Sequence, residues 1–376
     1  EIHHFQSARH NIHALWTING KVALVQDIYD AADLVQAEFI HRDGRKLDTT
    51  ALIITETPIY IRWPAGENVT IKPNAALAKD LAIHAHIHGL QYFPFREQGW
   101  FGMILAKNAD EAALLAKHLH PADLNTPQKN AALRHARNAI WAVPDPRDPA
   151  REVTIKQPVK MYPHKQLFDR FKPSKAKRSW NGAVELLRRG IDTAQPVAFF
   201  EKEGDTSLKH NFYLCDYVQA DCSVGEMFVH FAKGNKEFHF ADKNQSITAE
   251  ETYMQLAQHL NLMHNRRIFF RDLSGGNVLV QIQPDNTLHF SLIDTARARF
   301  HIFPMPFDER IADMVRISNK LHKAGRERFI GLYLASLNRK FTFKTKLSFY
   351  LYDFKVAFKR KFGRKGIKKL IRKFKN

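Results

Sequence analysis

Two stretches decide how this chain is read: FFRDLSGGNVLV at residues 269–280 and FSLIDTARARF at residues 290–300. In the first, a strand-like end gives way to Asp272, and Asn277 follows five residues later, just before the apolar run Val278, Leu279, Val280. In the second, a strand-like run ends at Asp294. The intervening PDN turns the chain, so 278–294 is expected to form a hairpin. Each of the three polar residues alone would pass for turn or cap chemistry. Together, in register with two strands, they supply what phosphoryl transfer requires. One carboxylate accepts the proton of an acceptor hydroxyl, and two oxygen ligands hold the Mg²⁺ that bridges a triphosphate.

The surrounding elements are legible from pattern. AIWAVPD (139–145) and EVTIKQPVKMY (152–162) read as a hairpin around the turn PRDPAR. SKAKRSWNGAVELLRRG (174–190) spaces Trp180, Val184 and Leu187 as a helix does, and Gly190 is its expected stop. PVAFFEKE and NFYLCDYV (211–218) read as strands, and TAEETYMQLAQHLNLMHN (248–265) as a long helix opened by a capping box of Thr248 and Glu251. Nearer the start, KVALVQDI and ALIITETPIYIRW are strand-like, while NAALAKDLAIHAHIHGL and ADEAALLAKHLH are helical or mixed. Polar turn residues in HPADLNTPQKN (120–130) suggest a boundary. The expected organisation is α+β: an N-terminal domain of unknown role over 1–124, a catalytic domain over 125–338 and a tail over 339–376.

On these motifs the chain resembles the protein-kinase-like superfamily, and within it the lipopolysaccharide core kinases that act on Kdo or heptose. The resemblance spans about residues 135–335. RDLSGGNVLV is similar to that family's catalytic loop, LIDTARAR to its metal-binding segment, SKAKRSWNGAVELLRRGIDTAQPVA to its first helix and following strand, and YLCDYV to the hinge between lobes. The resemblance implies a bilobal fold that uses ATP and Mg²⁺. It makes Asp272 the catalytic base, Asn277 and Asp294 the Mg²⁺ ligands, and the backbone of Asp216 and Val218 part of the adenine site. Lys160 matches the lysine that meets the α- and β-phosphates, with Lys156 as its rival on the same strand. Asp313, in RIADMVRIS, resembles a helical aspartate that bonds the catalytic-loop backbone.

The chain departs from the pattern at several points. Phe270 stands where many kinases have His before the Arg-Asp pair. No G-x-G-x-x-G loop precedes Lys160, which leaves phosphate cover to the PRDPAR turn or another segment. The acid nearest in sequence that would pair with the lysine is Glu185, in a position where it could face the wrong way. No long segment ending in A-P-E follows Asp294, which argues against a protein kinase gated by phosphorylation.

The charge is as local as the motifs. The formal net charge is +19, yet residues 339–376 hold 15 Lys and Arg with a single acid, Asp353. Within them, Phe343, Leu347, Leu351, Phe354 and Phe358 recur at helical spacing, as do Ile367, Leu370, Ile371 and Phe374, and basic residues fill the remaining positions. An apolar stripe opposite lysines suits an anionic membrane surface. Packing on the body is the plainer alternative, and nucleic acid is disfavoured because it does not need the stripe. His84, His86 and His88 would share one face of a strand, a spacing open to Zn²⁺ or to an ordinary polar face. Two cysteines without CxxC spacing fit a reducing compartment. No uninterrupted apolar run is long enough for a membrane span, and the first residues carry no signal-peptide pattern. The expectation is an ATP-dependent kinase, cytoplasmic and peripheral on the inner face of the membrane, phosphorylating a core sugar hydroxyl of lipopolysaccharide. The alternatives are a kinase for protein or a small soluble molecule, and a non-catalytic kinase-like binding module.

Overall fold

Strand periodicity sorts the hairpin at 138–158 into two faces, and that sorting positions the site. In this computed structural model every residue is described except 1, 18–22, 43, 45, 48–52, 55–56, 73–89, 162–171 and 363–376. The chain divides into two units, Glu1–His88 and Gly89–Asn376.

The first unit holds an antiparallel sheet of β1 (Ile2–Gln6), β2 (His10–Leu15), β3 (Glu38–His41) and β4 (Ile59–Pro64), in the order β1-β2-β4-β3. Alternation on β4 buries Ile59, Ile61 and Trp63 on one face, where they meet Leu15, Val25, Ile28 and Tyr29. In KVALVQDI, expected as a strand, the described residues form a strand at Ala23–Leu24 and turn helical at Val25–Ile28. The i, i+3 spacing of Val25 and Ile28 lets both reach the core, so packing overrides β-propensity. His13 is buried against the Tyr29 hydroxyl at 2.7 Å. Burial, then the neighbouring His4, pulls its pKa down to about 4. The stretch bearing His84, His86 and His88 lies outside the described residues.

The second unit opens with β5 (Gln91–Glu97), β6 (Trp100–Ala106) and α1 (Ala109–His118). Then come β7 (Arg134–His135), β8 (Asn138–Asp145), β9 (Asp148–Pro158), α2 (Lys175–Arg188), β10 (Pro196–Lys202) and β11 (Asn211–Asp216). All seven strands form one sheet, ordered β5-β6-β10-β11-β9-β8-β7. This corrects the boundary expected near 120–130. The backbone of β6 pairs with β10, Ile104 opposite Ala198 and Gly102 opposite Phe200, so 89–124 is part of the sheet lobe. The approach at Gly102 is so close that a Cβ there would lie 1.9 Å from the Phe199 carbonyl oxygen. One sheet face carries Trp141, Val153, Ile155, Phe200, Phe212 and Leu214, packed with Leu115 of α1. The opposite face receives α2, whose Trp180 packs 5.4 Å from the Phe199 ring.

The other lobe is mainly helical: α3 (Val224–Ala232), α4 (Ala249–Asn265), the hairpin β12 (Val278–Ile282) and β13 (Leu288–Leu292), α5 (Phe307–Ile317), α6 (Lys323–Ala335) and α7 (Phe343–Phe362). Capping boxes start both α3, through Ser223 and Glu226, and α4, through Thr248 and Glu251. Phe228, Leu256, Val278, Met314 and Phe329 share its core. A sheet lobe and a helical lobe within one unit make the bilobal, kinase-like α+β fold.

The tail is not a free appendage at its start. Phe349 of α7 is buried in the helical core, and Arg326 of α6 reaches Asp353 at 2.5 Å. The stripe read from sequence faces the other way: Phe343 is 82 % exposed, and Leu347, Leu351, Phe354 and Phe358 are exposed too. No described helix is long and apolar enough to cross a membrane.

Because 89–124 supplies Phe95, Trp100, Ile104 and Leu115 to the sheet-lobe core, residues 89–376 expressed alone should melt cooperatively. Residues 125–376 should precipitate or melt without a sharp transition. Circular dichroism melts of the two would show the boundary to be wrong if the shorter one were as stable.

Candidate active site

The loop that presents Asp272 is fixed by a buried carboxylate. Asp313 on α5 has no exposed surface, and its two oxygens accept the backbone N–H groups of Phe270 at 2.8 Å and Arg271 at 2.9 Å. Phe270, in place of a histidine, is wholly buried and anchors the loop by packing alone. Arg271 is thereby held at φ +67°, a left-handed conformation that costs a non-glycine residue on the order of 1–3 kcal/mol. The turn then closes through Asp272 N–H to the Phe270 carbonyl at 2.8 Å and Ser274 N–H to the Asp272 carbonyl at 2.7 Å.

Asn277 ties the pieces together. Its side-chain amide donates to the Asp272 carbonyl at 2.9 Å, and its own carbonyl accepts the Ile293 N–H at 2.9 Å. Asp272, Asn277 and Asp294 are thus brought to one place, as their spacing implies. Asp294 also takes a left-handed φ, +66°, a conformation that Asp tolerates better than Arg. Thr295 follows, its hydroxyl donating to the Ser179 carbonyl on α2 at 2.7 Å. Gly182 faces the same turn so closely that a Cβ would stand 2.5 Å from the Thr295 carbonyl oxygen.

Of the two candidate lysines, Lys156 is the one paired with Asp294. Its ammonium meets Asp294 Oδ1 at 2.5 Å. The preference for Lys160 is corrected: β9 ends at Pro158, and Lys160 lies beyond the strand with an exposed side chain. Val153 and Ile155 point into the sheet-lobe core, so Lys156 points to the face that α2 covers. Lys160 has the same parity, and it is the end of the ladder at Pro158 that takes it out of the sheet. Burial works to raise the Asp294 carboxyl, but Lys156 and then Lys175 outweigh it and hold it below the usual carboxylate range.

Glu185, the single acid of α2, turns away from Lys156 and pairs with Arg188 and Arg189. What α2 brings toward Lys156 is another cation. Lys175 bonds the Asn138 side chain. Burial, then Lys156, pulls its pKa down to about 8. Nothing in the sequence pattern marked it. Arg134 and Arg137, around the short β7–β8 turn, add positive potential at Asp294 and Lys175 respectively. The PRDPAR turn lies elsewhere. Arg147 bridges buried Asp145 and Asp216, at 2.7 and 2.6 Å, and Arg151 joins Asp216 at 2.8 Å. The N–H groups of Asp216 and Tyr217 are taken by the Gln195 and Glu152 carbonyls, both at 2.9 Å. Cys215 is a buried thiol that burial pushes up to about 12.

Two further residues reach the site unannounced. Arg297 donates to both oxygens of Asp272 at 2.8 Å, and Arg316 of α5 donates to one at 3.2 Å. Among the described residues, no group of three or more His, Cys, Asp or Glu is arranged to hold a metal. One Asp and one Asn beside a triphosphate would not make such a group.

The model of the lipopolysaccharide kinase (Kdo/WaaP) family matches residues 136–333. No curated protein matches the sequence. Among solved structures, WaaP in complex with acyl carrier protein is similar at 15% identity over 67% of this chain and 96% of that chain, with a TM-score of 0.46. The Rio2 kinase–ADP/Mg²⁺–phosphoaspartate complex from Chaetomium thermophilum is similar at 13% identity over 70% and 80%, with a TM-score of 0.34.

Replacing Asp313 by Ala would strand two N–H groups at the buried base of the loop, at about 1–3 kcal/mol each. Urea denaturation should therefore show a loss of about 2–5 kcal/mol. Asp313→Asn, which keeps one acceptor oxygen, should cost markedly less. Equal losses would mean that the loop is held by something else.

Proposed function

The chain belongs to the lipopolysaccharide kinase (Kdo/WaaP) family and is an ATP-dependent kinase of a lipopolysaccharide core sugar, and we propose that the acceptor is a heptose or Kdo hydroxyl, phosphorylated at the inner face of the cytoplasmic membrane. The observation that carries the reading is the shared loop. Asp272 and Asn277 are hydrogen-bonded to each other, and Asn277 is bonded to the strand that delivers Asp294, itself paired with Lys156.

The donor set fits Mg²⁺. Asn277 donates its amide to the loop, which leaves the side-chain oxygen as an acceptor, and Asp294 is kept ionised by its lysine neighbours. One neutral and one anionic oxygen suit a hard cation. When bound there, Mg²⁺ would neutralise charge on the phosphates of ATP. The chain's own residues do the rest. Lys156 and Lys175 offer positive charge to the triphosphate, in a lobe where no acid of α2 competes for them. The Asp216 carbonyl and the Val218 amide are the hinge groups left for adenine, since the Asp216 and Tyr217 amides are engaged. Asp272 orients the acceptor hydroxyl and takes its proton. Positioning and fixed charge account for most of such a rate enhancement.

The membrane location rests on α7. Its inner side is committed to the helical lobe through Phe349, while Leu351, Phe354 and Phe358 stand in solvent. Basic residues surround this stripe in the sequence, so it is suited to lie along an anionic lipid surface.

With ATP, Mg²⁺ and core glycolipid isolated from cells lacking this chain, Asp272→Asn should lower phosphate transfer by about 10²–10⁴-fold, the usual worth of a general base, and leave ATP binding intact. Lys156→Met should weaken ATP binding and turnover, and Lys160→Met should change little. Mass analysis of the product and ATP titration read both, and undiminished transfer by Asp272→Asn would sink the assignment. Separately, Leu351→Ser with Phe354→Ser and Phe358→Ser should reduce co-sedimentation with phosphatidylglycerol vesicles about tenfold or more, given about 0.8 kcal/mol per buried CH₂. Unchanged sedimentation would remove the stripe from membrane binding.

A further inference from the structure

Two arginines contact the base, Arg297 and Arg316, and two more, Arg271 and Arg299, add positive charge beside them. Arg271 comes from the catalytic loop, Arg297 and Arg299 from the turn and short strand after Asp294, and Arg316 from α5. Arg271 feels Arg299, Arg297 and Arg316 as like charges, and burial together with those neighbours lowers its pKa. Among the described residues, Asp272 is the one carboxylate in ion-pair contact with any of the four. One carboxylate therefore answers the two guanidinium groups that touch it, with two further like charges nearby, and it is the group that must act as base.

The geometry sharpens the difficulty. Arg297 spans both Asp272 oxygens at 2.8 Å, and Arg316 adds a third contact at 3.2 Å. All three contacts come from single nitrogens, Arg297 Nη1 across both oxygens and Arg316 Nη1 on one, so a hydroxyl approaching Asp272 must compete with two guanidinium groups. Yet the pair is exposed, Arg297 at 48 %, and exposed ion pairs are weak and readily exchanged. A planar guanidinium fork suits a carboxylate or a phosphate, bound bidentately. An anion arriving beside the hydroxyl could thus draw the fork off the base.

Resting on the kinase reading above, we propose that the acceptor carries a carboxylate or phosphate next to the hydroxyl that is phosphorylated, and that Arg297 and Arg316 move from Asp272 to that anion when it binds. The arginines then do two things. They select an anionic acceptor over a neutral one, and they keep the base covered until such an acceptor is in place. A neutral sugar with the same hydroxyl should suffer in kcat as well as in KM, because Arg297 stays on Asp272. An anion read at a remote site would change KM alone.

The test uses the full chain with ATP and Mg²⁺ on three acceptor preparations: core glycolipid isolated from cells lacking this chain, so that the target hydroxyl is free, the same material stripped of its remaining phosphate by hydrogen fluoride, and the same material with its carboxylates reduced to alcohols. Wild type should lose at least tenfold in kcat/KM on one of the two treated acceptors, with kcat contributing, and the affected preparation identifies the anion. In Arg297→Gln and Arg316→Gln the preference should collapse to within about threefold, and Arg297→Lys should restore part of it. Equal wild-type rates on all three preparations would overturn the inference and leave the kinase assignment standing. So would variants that lower transfer to every acceptor by one common factor, which marks a role in folding or in holding ATP. Transfer to none of the three by wild type would remove the proposed function and this inference with it. The wild-type comparison decides the matter even if a variant fails to fold.

Discussion

Two hydrogen bonds to one buried carboxylate hold the chemistry in place. Asp313 is inaccessible to solvent, and burial pushes its pKa upward, opposed by His264 and by the Phe270 and Arg271 amides. A buried carboxylate is costly unless its oxygens are satisfied, so those two amides and the carboxylate constrain one another. His264 sits 3.6 Å away, itself bonded to the Tyr333 hydroxyl at 2.6 Å. The bracing that many kinases draw from a histidine in the loop comes here from packing of Phe270 and from α4 and α5 behind it. Release of that clamp would free Arg271 from its left-handed conformation, and Asp272 would lose its aim.

A second constraint joins the lobes. Helix α2 docks on the turn after Asp294 through Gly182 and the Ser179 carbonyl, with no room for a side chain at Gly182. In that position the helix would commonly supply an acid to the lysine. Here Asp294 is the partner of Lys156, and Lys175 adds positive charge where the acid would be. Lys156 and Lys175 therefore face each other as like charges, and burial together with that repulsion lowers the pKa of Lys175.

The start of the basic tail has one side packed on the lobe and another exposed. Phe349 and Asp353 tie α7 to the helical lobe, and the residues at the expected helical spacing are those left in solvent. The periodicity was right and its direction was ambiguous, since a stripe that repeats every three or four residues faces a core or a membrane equally well.

The sequence alone determined the local chemistry: the loop bearing Asp272 and Asn277, the strand end at Asp294, the hairpins, the capped helix at 249–265 and the concentration of charge in the last 38 residues. These depend on spacing within a few residues, which the chain displays directly. It did not determine which lysine reaches Asp294, where the N-terminal unit ends, or that Lys175, Arg297 and Arg316 enter the site. Lys156 and Lys160 are both basic residues of the same parity on the expected strand, and only the end of the ladder at Pro158 separates them. Strand β6 looks like any apolar run until its pairing with β10 assigns it to the sheet lobe. Arg316 lies 44 residues from Asp272, and no local pattern encodes that meeting. Spacing specified the reactive groups, and long-range packing decided what surrounds them.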